Sequence, residues 1–249
     1  MHAQASGGGA ADMSEGFFDR AERMLGGETM DALARLRVAV FGLGGVGSWC
    51  AESLVRSGVG RLMLVDSDTV CASNVNRQAM ATSKTVGRVK AEALAERLRE
   101  INPDVELDVR HCRYCGETAA EFDFTRFDYV VDAIDSVDDK MLLIRSVLAS
   151  PDTRLFSSMG AAFKMDSFQI RHGAFRKVAG DGLARALRHK FKKSGGIPDR
   201  QFECVWSEEH RCEGRSFERP CGSLVHMTAS FGFALAGLVI ADVARRISA

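Results

Sequence analysis

Short apolar runs and longer mixed segments alternate along the first two thirds of the chain. The apolar runs predict buried strands, and the mixed segments predict helices. The predicted strands cover residues 37–42, 61–66, 104–110, 128–134 and 153–158, and the predicted helices cover residues 45–58, 86–101 and 137–150. This alternation predicts a doubly wound α/β fold, in which helices cover both faces of a mostly parallel sheet.

The pattern changes after Met159, which indicates a C-terminal extension beyond this alternation. Residues 167–170 have the pattern of a strand, residues 182–193 that of a basic helix, and residues 194–199 that of a loop. No internal repeat is visible. We therefore expect the second half of the chain to add to the sheet without repeating the first half.

The segment 224–243 is largely apolar and comes near the ~20 residues that are needed to cross a bilayer. It is interrupted by His226, Thr228, Ser230 and Asp242. Gly232 and Gly237 suit close packing against a sheet or a partner subunit. We therefore favour a buried core or dimer helix, with peripheral membrane contact as the alternative.

The composition predicts one domain in a reducing compartment. A chain of 249 residues with 46% hydrophobic content can bury one large α/β core, so we expect a single domain over residues 17–249. Residues 1–16 are small and polar enough for a disordered leader. Seven cysteines without a visible signal peptide indicate reduced thiols in the cytoplasm.

A glycine-rich turn follows the first predicted strand and opens the first predicted helix. Its sequence is Gly42-Leu43-Gly44-Gly45-Val46-Gly47. Gly42 and Gly44 would let the backbone turn tightly near a phosphate, and Gly47 would let the helix pack closely on a strand. Asp66 ends the second predicted strand, where a carboxylate can accept hydrogen bonds from ribose hydroxyls. The spacing predicts a Rossmann-like nucleotide site with phosphates at the helix N-terminus.

A polar cluster beyond Asp66 favours phosphate chemistry over redox chemistry. It contains Asn74, Asn76, Arg77 and Gln78, and Lys90 follows it. A dehydrogenase does not need these groups just beyond its ribose-binding acid, whereas arginine and lysine can neutralise the phosphates of ATP. Asp135 follows a buried run, at the end of the strands where open α/β sheets bind ligands. Its carboxylate can hold the Mg²⁺ that bridges these phosphates.

The glycine turn and the later segments LVDSDTV, NVNRQ, VGRVK and DAIDS resemble the adenylation domain of ubiquitin-activating enzymes and their bacterial, ThiF-type relatives. The resemblance covers nearly the whole chain and implies that ATP activates a carboxylate as an acyl-adenylate. It implies Asp66 as the ribose-binding acid, Asn74 and Arg77 as phosphate contacts, Lys90 as the phosphate lysine and Asp135 as the magnesium ligand. The other expected nucleotide contacts are Gly42, Gly44, Gly45, Gly47, Asp68 and Gln78.

The same resemblance implies a homodimer whose ATP sites are completed in trans. Members of the family carry an arginine near the N-terminus that reaches the partner subunit's site. Arg20 and Arg23 stand in that region, and we prefer Arg23. A cysteine desulfurase or sulfur acceptor is a further expected partner.

Segments in the second half are most similar to the branch of the family that dehydrates threonylcarbamoyladenosine in tRNA. They are CVWSE from Cys204, GSL from Gly222 and TASFGF from Thr228. This branch implies that ATP drives the cyclisation of a modified adenosine beside the anticodon. The alternative within the family is adenylation of the C-terminal glycine of a ubiquitin-like sulfur-carrier protein. An NAD-binding redox module and a non-catalytic tRNA scaffold are the alternatives outside it.

Basic residues gather in one stretch of the second half, although the formal net charge of the chain is zero. They are Arg171, Arg176, Lys177, Arg185, Arg188, His189, Lys190, Lys192 and Lys193. Such a surface can hold tRNA phosphates, since contacts to phosphates dominate affinity for nucleic acids. The alternative is an ordinary solvated helix face.

The cysteines leave two alternatives open. Cys112 and Cys115 have the spacing of half a zinc site, but no second pair of this kind completes it, and the spacings of Cys204, Cys212 and Cys221 are irregular. Cys221, beside Arg219, has features of a nucleophilic thiol. We favour a small buried residue there, because ring closure within one substrate needs no thiol relay.

Overall fold

Seven strands and seven helices make up most of the described chain, which comprises residues 16–209 and 222–248 of a computed structural model. The strands are β1 (Arg37–Phe41), β2 (Arg61–Val65), β3 (Glu106–Arg110), β4 (Tyr129–Asp132), β5 (Arg154–Ser158), β6 (Ile170–Ala174) and β7 (Glu203–Ser207). The helices are α1 (Asp19–Leu25), α2 (Gly27–Arg35), α3 (Gly47–Arg56), α4 (Lys90–Ile101), α5 (Val137–Leu148), α6 (Gly182–Lys193) and α7 (Val225–Ile247). The expected leader falls almost entirely outside the described residues.

All seven strands belong to one sheet in the order β3-β2-β1-β4-β5-β7-β6. Every neighbouring pair is parallel except β6 and β7, which are antiparallel. The strand order changes direction at β1, which pairs with β2 on one side and β4 on the other. Ligands of open α/β sheets bind beyond the carboxyl ends of the strands at this kind of switch point.

Two hydrophobic cores cover the two faces of the sheet, because side chains alternate along each strand. Val38 and Val40 of β1 face a core that includes α2, α3, α4 and α7. Ala39 and Phe41 face the opposite core, which includes α5 and α6. The predicted doubly wound α/β fold with a C-terminal extension is thereby confirmed.

The starts of two predicted elements differ most from the sequence pattern. The predicted strand at 167–170 is wrong over its first three residues, because Ser167–Gln169 form a 3₁₀ turn and β6 begins at Ile170. The helix predicted from residue 86 begins at Lys90. Val70 exchanges backbone hydrogen bonds with the 87–88 segment, and Gly87 has a φ of 90°, so this segment is not helical. The short helices α1 and α2 were not predicted from the sequence pattern.

Helix α7 lies in the core against α3. Gly232 permits this contact, because a Cβ there would lie 2.5 Å from the carbonyl oxygen of Val46 and 2.8 Å from the backbone nitrogen of Cys50. A Cβ at Gly237 would meet nothing within 4 Å, so this glycine makes no close contact within the described chain. The helix is long and apolar enough to span a membrane by length and composition alone, but 61% of its most apolar stretch is buried. This burial favours the interpretation as a core helix.

Candidate active site

The glycine turn lies where β1 and β4 separate. The Gly42 N–H donates to the carbonyl of Val65, and the Ala133 N–H donates to the carbonyl of Phe41, at distances of 2.9 and 2.8 Å. Gly42 has a φ of 83°, and a Cβ there would lie 2.7 Å from the Ala133 carbonyl oxygen. Glycine is therefore required at this position by both conformation and space.

The other three glycines of the turn have different surroundings. A Cβ at Gly47 would lie 1.8 Å from the Gly42 carbonyl oxygen, which agrees with the predicted close packing at the start of α3. A Cβ at Gly45 would lie 2.9 Å from the side chain of Thr228 on α7. A Cβ at Gly44 would meet only the Gln78 side chain, at 3.9 Å. No neighbour in the described chain requires glycine at Gly44. Close approach of a phosphate therefore stays the predicted reason for a glycine at this position.

Asp66 connects the end of β2 to the glycine turn. One carboxylate oxygen accepts a 2.6 Å hydrogen bond from the Leu43 N–H, and the other accepts a 2.8 Å hydrogen bond from the Asp68 N–H. Each carboxylate oxygen has two lone pairs, so both keep capacity for a further donor. The side chain is partly exposed at the crevice, where ribose hydroxyls can reach it.

The segment that carries Arg77 is attached to the first turn of α3. Trp49 donates from its indole Nε1 to the Arg77 carbonyl at 2.9 Å, and Ser48 Oγ accepts from the Ala79 N–H at 3.1 Å. The Arg77 Nη1 donates to the carbonyl of Ser73 and to the side chain of Asn76, at 2.8 and 2.9 Å. The guanidinium is therefore held by its own loop, and the backbone of this loop is attached to the end of α3 where a phosphate is expected.

Asn74 and Gln78 are both buried but have different partners. The Asn74 Oδ1 accepts from the Cys71 N–H at 3.0 Å, so this side chain supports its own loop. The Gln78 Oε1 is buried without a hydrogen-bond partner among the described residues. An unsatisfied buried carbonyl costs about 1–3 kcal/mol. Because the Gln78 amide also faces Gly44, a ligand donor at the glycine turn would remove this cost.

Lys90 is buried at the start of α4, and its ammonium lies 2.8 Å from the exposed carboxylate of Asp68. The Lys90 N–H also donates to the Asp68 carbonyl at 3.0 Å. Asp68 follows Asp66 by two residues, so the structure brings Asp66 and Lys90, the expected ribose and phosphate contacts, to the same strand end. Asp68 holds the lysine charge in place at the edge of the crevice.

Asp135 is exposed in the loop between β4 and α5. This loop is supported by a charge pair that has no signal in the sequence pattern. Asp132 and Lys140 are fully buried and lie 2.8 Å apart. Asp132 also accepts hydrogen bonds from the Ser157 hydroxyl at 2.6 Å and the Ile134 N–H at 3.1 Å, and Lys140 donates to the Ile134 carbonyl at 2.9 Å. The buried pair thus fixes the backbone that presents Asp135.

Arg23 lies on the exposed surface of α1. Phe18, which precedes α1, packs near Gly58, just beyond the C-terminal end of α3. The glycine turn lies at the other end of α3, about 15 Å away for ten residues. Helix α1 therefore starts at the end of α3 that is remote from the glycine turn of the same chain.

The predicted basic helix is α6, with the expected bounds Gly182–Lys193. Arg185, His189 and Lys192 line a cavity of about 310 Å³ along it. Arg188 is used internally, because it donates to the carbonyls of Phe175 and Val178. Only part of the predicted basic surface is therefore available to a polyanion.

The described cysteines form no metal site. No group of three or more histidine, cysteine, aspartate or glutamate side chains able to hold a metal occurs within residues 16–209 and 222–248. Cys204 is buried in β7, and burial raises the pKa of its thiol well above the ordinary value. Cys212 and Cys221 lie outside the described residues, so the interpretation of Cys221 stays a prediction.

The chain is similar to known proteins over most of its length. The ThiF family pattern matches residues 18–243. The tRNA threonylcarbamoyladenosine dehydratase of Bacillus subtilis is 42% identical over 178 residues, covering 72% of this chain and 70% of the relative. That of Escherichia coli K12 is 34% identical over 239 residues, covering 87% and 89%. The crystal structure of the E. coli enzyme with ATP has a TM-score of 0.86 at 33% identity, covering 93% and 95%.

Sulfur carrier protein adenylyltransferases are matched over a shorter part, 48% of this chain for that of Thermus thermophilus. The match to the ThiF family covers the glycine turn, Asp66, Arg77, Lys90 and Asp135 together. The resemblance that those residues carried in the sequence is thereby confirmed, and the chain belongs to the ThiF family.

Proposed function

We propose that the protein is an ATP-dependent tRNA threonylcarbamoyladenosine dehydratase. The observation that carries the proposal is the convergence of the glycine turn, Asp66, Arg77 and Lys90 at the carboxyl ends of β1 and β2. The dehydratases named above match this chain over 72% and 87% of its length. The similar E. coli dehydratase has been solved with ATP bound. The substrate is therefore a tRNA that carries threonylcarbamoyladenosine, and the reaction takes place in the cytoplasm.

The residues present fit ATP. Gly44 leaves its backbone open to a phosphate, and the buried Gln78 Oε1 has no partner among the described residues. Asp66 has free acceptor capacity for the ribose hydroxyls. Arg77 and Lys90 provide positive charge for the phosphates, and Asn74 supports the loop that precedes Arg77. Their charges act in a partly enclosed crevice, where electrostatic stabilisation is stronger than in water.

Asp135 fits a magnesium ligand. Its carboxylate is exposed at the end of β4, on a backbone that the buried Asp132 and Lys140 hold in place. Mg²⁺ in nucleotide sites is commonly bound by one or two carboxylates together with phosphates and water, so a single carboxylate is sufficient. Bound there, Mg²⁺ would offset negative charge on the phosphates of ATP.

The proposed reaction has two steps. The carboxylate of the threonylcarbamoyl group attacks the α-phosphorus of ATP, which forms an acyl-adenylate and releases pyrophosphate. A nitrogen of the same group then attacks the acyl carbon, and its proton is lost as AMP leaves and a five-membered ring closes. The nucleoside has lost one water. Because nucleophile and acyl group belong to one substrate, the second step gains from high effective molarity.

The proposal includes a homodimer in which Arg23 reaches the partner subunit's ATP site. Arg23 is exposed, and α1 starts at the end of α3 that is remote from its own glycine turn. The exposed side of α7 supports a contact between copies, because Phe233 is 49% exposed and Gly237 leaves space beside it. Trp49 packs edge to face against Phe233 at 5.9 Å and extends this apolar surface onto α3.

The decisive experiment follows nucleoside mass after incubation with ATP, Mg²⁺ and tRNA that carries threonylcarbamoyladenosine. We expect an ATP-dependent loss of one water and stoichiometric AMP. Asp135→Ala should abolish ATP–pyrophosphate exchange, whereas Asp138→Ala, three residues away at the start of α5, should retain it. Full exchange in the Asp135 variant would contradict the magnesium assignment. Exchange with a sulfur-carrier protein, but no change in tRNA mass, would replace the dehydratase with the alternative adenylyltransferase.

A further inference from the structure

One aromatic side chain stands out on the surface beside the crevice. Phe168 is 91% exposed, more than any other large apolar residue in the described chain. Burial of such a side chain is worth about 1.5–3 kcal/mol, so a fully exposed ring forgoes this stabilisation. The fold does not need the ring where it is, because β6 and its pairing begin only at Ile170.

The backbone that presents Phe168 is firmly held. Asp166 accepts from the Phe168 N–H and from the Gln169 side-chain amide, both at 2.9 Å. The carboxylate of Glu209 accepts from the Met165 and Asp166 N–H groups at 2.8 and 2.9 Å. The exposed ring therefore sits on an ordered 3₁₀ turn rather than on a loose loop. Such preorganisation lowers the entropy cost of binding.

A chain of contacts joins this turn to the nucleotide crevice. The Asn76 side chain accepts a hydrogen bond from the Arg77 guanidinium and donates one to the Ser223 carbonyl at 2.9 Å. Three residues later, His226 is hydrogen-bonded to the Met165 carbonyl at 2.8 Å. Phe168 thus lies on the same rim as the expected phosphate contacts, at the start of α7.

The immediate surroundings of the ring are charged rather than apolar. The Arg171 guanidinium donates to the Phe168 carbonyl at 3.0 Å, and Arg171 and His172 are exposed on the edge strand β6. Their acidic neighbours Glu208 and Glu203 lie 3.4 Å away in exposed pairs, which contribute little and can exchange for phosphates. Charges of both signs therefore surround the ring. An exposed ring beside an arginine suits a nucleic acid, since bases stack on aromatic rings while cations contact the backbone.

We propose that Phe168 is a stacking platform for an unpaired base of the substrate RNA, next to the adenosine that enters the crevice. This inference rests on the proposed function and adds a contact that holds the single-stranded loop of the tRNA. Arg171 contacts the adjoining phosphate. Stacking tolerates different bases, because every base presents an aromatic face.

The test measures the Kd of the full-length protein for tRNA without ATP, over a series of salt concentrations, in four variants. Phe168→Ala should raise the Kd roughly 5- to 150-fold, which corresponds to about 1–3 kcal/mol per stacked base. Phe168→Leu should behave like the alanine variant, and Phe168→Trp like the wild type. Phe17→Ala, a control at a phenylalanine that is 77% exposed, should leave the Kd unchanged.

The salt series separates stacking from phosphate contacts. Stacking releases no counterions, so plots of log Kd against log salt should be parallel for the wild type and Phe168→Ala. An unchanged Kd in Phe168→Ala, or equal Kd values for the leucine and tryptophan variants, would overturn the platform. Sedimentation that shows a weaker dimer in Phe168→Ala would instead assign the ring to a contact between copies. Loss of water from tRNA by the wild-type protein is measured separately, so a failed platform leaves the dehydratase proposal intact.

Discussion

Replacement of Lys140 by methionine tests whether the buried charge pair holds the crevice together. Asp132 and Lys140 have no exposed side-chain surface, so Lys140→Met leaves a buried carboxylate without its counter-charge. Breaking such a pair commonly costs 3–5 kcal/mol. Ser157 and the Ile134 N–H still donate to Asp132, so we expect the lower end, about 3 kcal/mol. That is a large part of a typical stability of about 5–15 kcal/mol.

The assay is urea unfolding at one protein concentration, with the double variant Asp132→Asn/Lys140→Met as the control. The double variant has no buried carboxylate without a counter-charge. It should therefore recover about 2 kcal/mol of the free energy of unfolding that Lys140→Met loses. ATP–pyrophosphate exchange, measured well below the unfolding midpoint, should fall in Lys140→Met because the Ile134 carbonyl loses its donor. A single variant that loses less than about 1 kcal/mol, or a double variant no more stable than the single, would refute the reasoning.

Three further predictions concern other parts of the fold. Gly232→Ala should destabilise by about 1–3 kcal/mol because the new Cβ meets the α3 backbone, whereas Gly237→Ala in the same helix should stabilise by about 0.5–1 kcal/mol; thermal unfolding of both compares them. Burial alone would raise the pKa of Glu52, but hydrogen bonds from Arg97 and Arg56 lower it. Its stabilisation is therefore present above the ordinary carboxyl pKa and lost as the pH falls through the lowered value, and Glu52→Gln should flatten this acid dependence in pH-resolved denaturation. Burial, and the hydrogen bond to Asp242, raise the pKa of Tyr129 to about 12. The neutral phenol stabilises the fold below the ordinary pKa and ceases to do so as the pH rises towards 12, so Tyr129→Phe should cost about 1.5–3 kcal/mol at neutral pH and weaken the alkaline transition seen by ultraviolet titration.

The parts of the fold that local pattern determines were predictable from the sequence. The glycine turn was recognisable because its glycines follow one another between a strand and a helix, and the contact of Gly47 with the Gly42 carbonyl is local to that turn. Helix α6 has the predicted bounds because Asp181 caps its N-terminus, accepting from the Ala184 N–H at 2.8 Å, and an apolar face follows. Asp66 was placed at the end of the second strand by the apolar run before it, whereas the role of Lys90 came from the family resemblance.

The remaining features depend on contacts that a linear pattern does not contain. Asp132 and Lys140 are eight residues apart and form a pair only because α5 folds back on β4. The linear pattern therefore does not indicate that either charge is buried. The start of α4 was placed too early because Gly87 and Val70 pair across a loop. The apolar side chain of Phe168 favoured a strand, but the Asp166 carboxylate accepts a hydrogen bond from the Phe168 N–H and the segment forms a turn. The proposed contact of Arg23 with the partner subunit's ATP site depends on a second chain, so the pattern along one chain cannot indicate it.

The contact between Gly45 and Thr228 has a consequence for the order of synthesis. The glycine turn emerges from the ribosome with the first strand, but the helix that packs on it is made after all seven described strands of the sheet. Until α7 arrives, the apolar side of α3 around Cys50 and Leu54 has no cover from it. A nascent chain therefore carries an unfinished hydrophobic face that chaperones can bind, and ATP would select the completed fold once α7 has been made.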